Sequence, residues 1–198
     1  MKDVTNSWKN EKVFAKQLAL NKDQLIDGYP NHWHEFLHVL KSISPTSIID
    51  IGCGCGAYYE LCKKHHPEVF YTGIDYSKEA IDLAIKTWDH ESFFVKDYNS
   101  LTKDYLSNYE LIHMGALLDV LPDGDEALDF ILSLKPKMVL ICRMKMTDKP
   151  SGSYIYRAYD EIETHSYSHN VSSVSKICDK NGYKATKLRD HCLLVRGI

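Results

Sequence analysis

Between Ser47 and Gly56 the chain passes from a short, mostly β-branched run, Ser-Ile-Ile-Asp-Ile, into Gly-Cys-Gly-Cys-Gly, and helical patterning starts at Ala57. An apolar run of this length bounded by turn residues suits a strand buried on both faces of a parallel sheet. Glycines at alternate positions let the backbone turn sharply and approach a ligand with no Cβ in the way. A strand, a glycine loop and a helix in succession aim the loop amides from a helix N-terminus into the crevice at the strand ends. The stretch therefore predicts an α/β chain with a nucleotide-type cofactor site.

Gly52, Gly54 and Ala57 also satisfy the dinucleotide pattern G-x-G-x-x-G/A, and Asp50 separates the two readings. A carboxylate at the end of that strand repels a pyrophosphate and attracts a cationic cofactor head, so S-adenosylmethionine (SAM), with its sulfonium and α-ammonium, is favoured. Asp75 closes Val-Phe-Tyr-Thr-Gly-Ile-Asp and Asp97 closes Ser-Phe-Phe-Val-Lys-Asp. Successive parallel strands deliver their ends to one sheet edge, so the three carboxylates are expected to converge. Asp75 stands at the spacing that reaches ribose hydroxyls, and Asp97 is expected beside the adenine amine.

The sequence resembles the class I SAM-dependent methyltransferases of small-molecule type. The resemblance runs from about Ser47 to the C-terminus and rests on residues 50–56, 73–77, 96–98 and 109–122. It implies a doubly wound, seven-stranded, mostly parallel sheet with helices on both faces and the last strand antiparallel. It also implies SAM across the strand ends, S-adenosylhomocysteine as product, and a methyl acceptor above. The positions it marks for the cofactor are Asp50, Gly52, Cys53, Gly54, Gly56, Asp75, Tyr76, Asp97, Tyr98 and Met114. These motifs are specific for the cofactor and say little about the acceptor.

A length of 198 residues favours one domain, 1–198, with residues 1–45 as a helical cap and 147–170 as an acceptor-lid insertion. The net charge of −3 gives no general affinity for nucleic acid. The charged N-terminus and the lack of a long apolar run give the expectation of a cytoplasmic protein with no membrane partner. Six cysteines without paired spacing read as reduced thiols, and no metal site is expected, Cys53-x-Cys55 and His32, His34 and His38 included.

Helices are expected over Trp8–Leu25, around Trp33–Leu40, over Tyr58–His66, after Ser77, and over Asp123–Leu134 and Val171–Asn181. Tyr183–Leu188 and Cys192–Arg196 read as a terminal antiparallel pair. After the fourth strand, Glu110–Met114, the chain lacks the Asn/Asp-Pro-Pro-aromatic run of amino-group methylation, the cysteine nucleophile of cytosine methylation and the acidic ligands of a metal-assisted reaction. Residues 147–170 form the least regular segment and are rich in polar aromatics. A hydroxyl acceptor needs a base near neutrality, for which His169, His165 and His113 are the candidates. Arg143 and Arg157, with Tyr156, are placed to hold an anionic acceptor. The expected activity is O-methylation of a small polar metabolite or sugar precursor. RNA or nucleoside methylation and a non-catalytic partner subunit stand as alternatives, and the oligomeric state is not readable.

Overall fold

The computed structural model describes residues 4, 6–189 and 191–198. Two helices come first, α1 (Glu11–Asp27) and α2 (Asn31–Ile43). Asn10 caps α1 by accepting from the Lys12 amide, and Pro30 stands at the entry to α2, where its missing N–H is no loss. The alternating part follows: β1 (Ser47–Ile51), α3 (Ala57–His65), β2 (Phe70–Asp75), α4 (Lys78–Trp88) and β3 (Phe93–Val95). A 3-10 turn over Tyr98–Ser100 and the one-turn helix α5 (Lys103–Leu106) lead to β4 (Leu111–Gly115), α6 (Gly124–Ser133) and β5 (Met138–Cys142). Then come β6 (Met146–Thr147), β7 (Gly152–Ala158), β8 (Ile162–Asn170), α7 (Val171–Asn181), β9 (Tyr183–Lys187) and β10 (Leu193–Gly197).

The seven-stranded sheet has the order β3-β2-β1-β4-β5-β10-β9. The pairings from β3 to β5 are parallel, and β10 runs antiparallel to both β5 and β9. Period-two alternation sends Ile49, Ile51, Ile112 and Met114 to one face, where Leu128, Ile131 and Val174 of α6 and α7 meet them. Ile48, Leu111 and Leu140 face the other way, onto Phe36 and Leu40 of α2 and Leu61 of α3. Each fully buried side chain of this kind contributes roughly 1.5–3 kcal/mol. The five parallel strands thus end on one edge, where the glycine loop, Asp75, Gly115 and Arg143 all emerge.

Residues 147–170 are more regular than their composition predicts. β7 and β8 form an antiparallel hairpin registered from Gly152 opposite Ser168 to Ala158 opposite Ile162, and β6 joins β8 in parallel. The buried residues of β8 are Ile162, Thr164, His165, Tyr167 and His169, lying on both faces of the strand and mostly polar, so β8 lacks an apolar alternation. α1 begins at Glu11 rather than Trp8, whose ring turns back so that Nε1 donates to Thr164 Oγ1 at 2.9 Å. Among the described residues no helix is long and apolar enough to cross a membrane.

Candidate cofactor and acceptor cavity

A cavity of about 500 Å³ opens at the strand-end edge. Gly52 and Gly54 of the glycine loop line it; these two and Gly56 have φ of 74°, 52° and 77°, values that favour glycine. The amides of Gly52 and Cys53 donate to Ile74 O at 2.8 and 3.0 Å, tying the loop to β2. The Gly54 amide donates to Asp75 Oδ2 at 3.0 Å, and the Ser77 amide to Asp75 Oδ1 at 2.9 Å. Burial pushes the Asp75 carboxyl up to about 6, while the amides of Ser77 and Gly54 pull it back.

Of the residues that the sequence marks for the cofactor, Gly52, Gly54, Asp75, Tyr76, Asp97 and Tyr98 line the cavity. Asp97 also caps the following turn by accepting from the Asn99 amide at 2.9 Å. Burial, reinforced by Asp75, pushes the Tyr76 hydroxyl up to about 12, so it stays a neutral donor. The other four lie elsewhere. Gly56 starts α3 and packs against Phe93 and Trp88; a Cβ there would come within 2.7 Å of the Phe93 ring. Cys53 and Met114 are buried outside the cavity wall.

Asp50 departs furthest from expectation. It does not face the cavity, because its side chain points to the α2–α3 face of the sheet. There Oδ2 accepts from the Tyr71 hydroxyl at 2.6 Å and Oδ1 meets His113 Nδ1 at 2.7 Å. The converging trio is therefore a pair at the cavity, Asp75 and Asp97.

The acceptor candidates Arg143, Tyr156 and Arg157 all line the cavity, as does one of the three histidines, His165, whose Nδ1 lies 3.2 Å from Ser153 Oγ. His113 is enclosed between Phe36 and Tyr58. His169 is also enclosed, with Nδ1 2.7 Å from Asp125 Oδ1 and its backbone N–H donating to Lys145 O. Neither reaches the cavity, so of the three candidates His165 is the one that lines it. Ala116 and Arg143, at the ends of β4 and β5, take left-handed backbone with φ of 62° and 65°. That conformation costs a non-glycine residue roughly 1–2 kcal/mol, and both residues line the cavity. Burial raises the carboxyl of Asp119 while Arg143 opposes it, and Oδ1 of Asp119 has no partner among the described residues.

No sequence pattern points to the residues of the roof. Trp8, Phe14 and Gln17 come from the N-terminal segment and Tyr159 from the hairpin turn. Lys16 joins the two parts, 2.7 Å from Glu161 and donating to Tyr159 O at 3.0 Å. The amphipathic spacing of the N-terminal helix predicts a covering element and not the residues aimed inward.

The sequence matches the family described as "Methyltransferase domain" over residues 26–188. It is 33% identical over 121 residues to trans-aconitate 2-methyltransferase of Yersinia pseudotuberculosis, a stretch that covers 60% of this chain and 45% of the relative. The chain thus spans under half the length of the curated relatives it matches. Human N-acetylserotonin methyltransferase, solved in complex with SAM, superposes with a TM-score of 0.67 at 14% identity, covering 100% of this chain and 60% of that one. Magnesium protoporphyrin IX methyltransferase from Synechocystis, solved with bound SAM, gives a TM-score of 0.57 at 15% identity, covering 93% and 84%. At such identities the likeness is one of fold.

Proposed function

The chain belongs to the class I SAM-dependent methyltransferases, and from that membership we propose that it methylates an oxygen of a small, polar, negatively charged acceptor. The observation that carries the reading is the division of charge within one cavity. Asp75 and Asp97 emerge at the β2–β3 end, where Lys96 also lines the wall with its ammonium drawn over the Tyr105 ring, 5.0 Å from its centre, and Arg143, Tyr156 and Arg157 at the end formed by β5 and β7. At about 4.8 Å per strand, β2 and β5 stand roughly 14 Å apart, so a ligand with hydroxyl donors and a ligand with negative charge are served separately.

The residues present fit SAM. The cradle over Gly52 and Gly54 exists only because both lack a Cβ, which would meet Leu117 at 3.0 Å and Gln17 at 2.7 Å. Asp75 is the acceptor for ribose hydroxyls and Asp97 for the adenine amine. Bound SAM supplies an electrophilic methyl group for in-line displacement. The chain's part is to hold the acceptor in line and exclude water, with the β7–β8 hairpin as lid and Arg143 and Arg157 as anchors. His165 takes the proton from a hydroxyl acceptor; a carboxylate acceptor has none to lose. The curated relatives are named for trans-aconitate, which agrees with an anionic acceptor.

The test is transfer of a labelled methyl group from SAM to a panel of small carboxylates, phosphorylated sugars and their neutral counterparts. Label is expected only in anionic acceptors, with KM for the acceptor raised on the order of tenfold in Arg143→Gln. Transfer to neutral compounds or to RNA alone would overturn the reading.

A further inference from the structure

Trp8 and Tyr159 both line the cavity, and both are only partly buried. Their ring centres lie 6.4 Å apart with the planes at 85°, so the two rings make a corner. Trp8 is fixed by Nε1 donating to Thr164 Oγ1 at 2.9 Å, and Thr164 stands opposite Tyr156 and next to His165, at the acceptor end. The indole N–H is thereby spent on a hydroxyl that is itself closed to solvent, which leaves the cavity a π surface without a free donor there. Tyr159 is held at a cost. It and Asp160 are the central residues of the turn closed by Glu161 N–H donating to Ala158 O at 3.0 Å, and both have left-handed backbone, φ 53° and 57°, where glycine or asparagine is usual. The strain persists because Lys16 donates to Tyr159 O at 3.0 Å and pairs with Glu161 at 2.7 Å, while Val13 packs on Ala158 and Ile162. Backbone strain held this firmly at a cavity wall is a feature of ligand clamps.

We propose that the corner formed by Trp8 and Tyr159 selects an acceptor with a flat, conjugated body beside its anionic group: an unsaturated or aromatic carboxylate in preference to a saturated acid or a sugar phosphate. This names the substrate class of the anionic-acceptor reading and rests on that reading. A planar π system can stack offset on one ring and meet the other edge-on, the two arrangements that ring quadrupoles favour, whereas a puckered ring has no π face to offer. A polyhydroxylated body needs a hydrogen-bond partner for each hydroxyl it brings out of water, and the N–H of this wall is already taken. Val120, Leu121 and Pro122 add apolar lining to the same cavity. The anionic group falls to Arg143 and Arg157, so charge and flatness are read by separate residues. Because the indole and the turn are both tied down, the corner exists before the ligand arrives and little ordering entropy is lost on binding.

Calorimetry on the protein saturated with S-adenosylhomocysteine compares benzoate with cyclohexanecarboxylate, which match in charge and carbon number and differ in flatness. Benzoate is expected to bind on the order of tenfold more tightly. Trp8→Leu should bring the two acids within about twofold of each other, and so should Tyr159→Gly, which removes the ring while relieving the left-handed backbone and so keeps the fold. Trp8→Phe retains a π face and should retain most of the preference. Affinity for S-adenosylhomocysteine should stay within about twofold in all three variants. Equal binding of the two acids by the unaltered protein, a preference that survives both Trp8→Leu and Tyr159→Gly, or a parallel loss for both acids overturns the role of the corner. A fall in S-adenosylhomocysteine affinity that matches the loss of benzoate overturns it as well, because the wall would then serve the cofactor. If neither acid binds, the inference falls; the anionic reading falls with it only when labelled methyl also reaches neutral acceptors alone.

Discussion

His113 Nδ1 lies 2.7 Å from Asp50 Oδ1, with both side chains closed to solvent. β1 and β4 place the two residues opposite each other, and the Tyr71 hydroxyl of β2 completes the set from the other side at 2.6 Å. Three adjacent strands of the parallel sheet are thus joined through one carboxylate. The carboxylate that opens the glycine motif works as a structural tie in this chain.

Asp50→Ala leaves the Tyr71 hydroxyl and the His113 ring without their shared acceptor inside the core. Loss of about 3 kcal/mol or more in urea unfolding is expected. Affinity of the folded variant for S-adenosylhomocysteine should stay within about threefold by calorimetry. A tenfold loss of affinity at unchanged stability would show that Asp50 acts on the ligand instead.

With Asp75 as the proposed ribose acceptor, ligand binding is expected to depend on pH. Its folded carboxyl, pushed up by burial to about 6, lies above the ordinary value of 3.8, so folding takes up a proton between those limits. The resulting stabilisation is complete below pH 3.8 and is lost as pH rises through 6. Ribose binding runs the other way, because two hydroxyl donors need the ionised, acceptor-only form. Affinity for S-adenosylhomocysteine should fall up to about tenfold from pH 7 to pH 5. Asp75→Asn should weaken binding by about 1–3 kcal/mol and flatten the profile. A variant that keeps the pH dependence would assign it to another group.

The glycine loop and the parallel strands are legible in the sequence because each is specified locally, by missing side chains and by apolar runs of strand length. Asp75 and Asp97 are legible because strand ends in a doubly wound sheet share an edge. Asp50 misleads because side-chain direction alternates along a strand, and its face is fixed by Tyr71 and His113, distant residues that no local pattern links to it. The hairpin is hidden because its buried positions Thr164, His165 and His169 are polar, and Thr164 and His169 meet distant partners in Trp8 and Asp125. Gln17 is hidden for a related reason. It is one polar position on α1, and the rotation of that helix is set by Phe14 and Leu18 packing on Cys55 and Ala80 and by Val13 packing on Ala158 and Ile162.

Glycines with left-handed backbone should separate by readout. Gly182 has φ of 81° and open space where a Cβ would go, so Gly182→Ala measures left-handed strain alone, roughly 1–2 kcal/mol. Gly56→Ala adds a clash with the Phe93 ring and with Trp88 and should cost more stability than Gly182→Ala. Gly54→Ala meets the movable end of Gln17, so its stability should stay near that of Gly182→Ala while affinity for S-adenosylhomocysteine drops on the order of tenfold. Unfolding curves and calorimetry on the three variants check this, and a Gly54→Ala protein with full affinity would contradict the cradle.

Asp125 ties the hairpin to α6. Its Oδ1 is 2.7 Å from His169 Nδ1, its Oδ2 accepts from Ser151 Oγ at 2.6 Å, and that same Oγ accepts from the Asn170 amide at 2.8 Å. The entry to β7 and the end of β8 are therefore both held to the first turn of α6 through one carboxylate. Asp125→Ala removes the shared acceptor of Ser151 and of His169, whose ring is closed to solvent. The local cost is about 1–3 kcal/mol, and it falls on the hairpin, because the two bonds of this carboxylate both lead there. Hydrogen exchange of residues 162–170 should speed up on the order of tenfold in the variant while residues 47–51 keep their protection. Uniform acceleration across both stretches would mean that the hairpin and the seven-stranded sheet open as one unit, and the carboxylate would then be a support of the whole fold and not a tether for the hairpin.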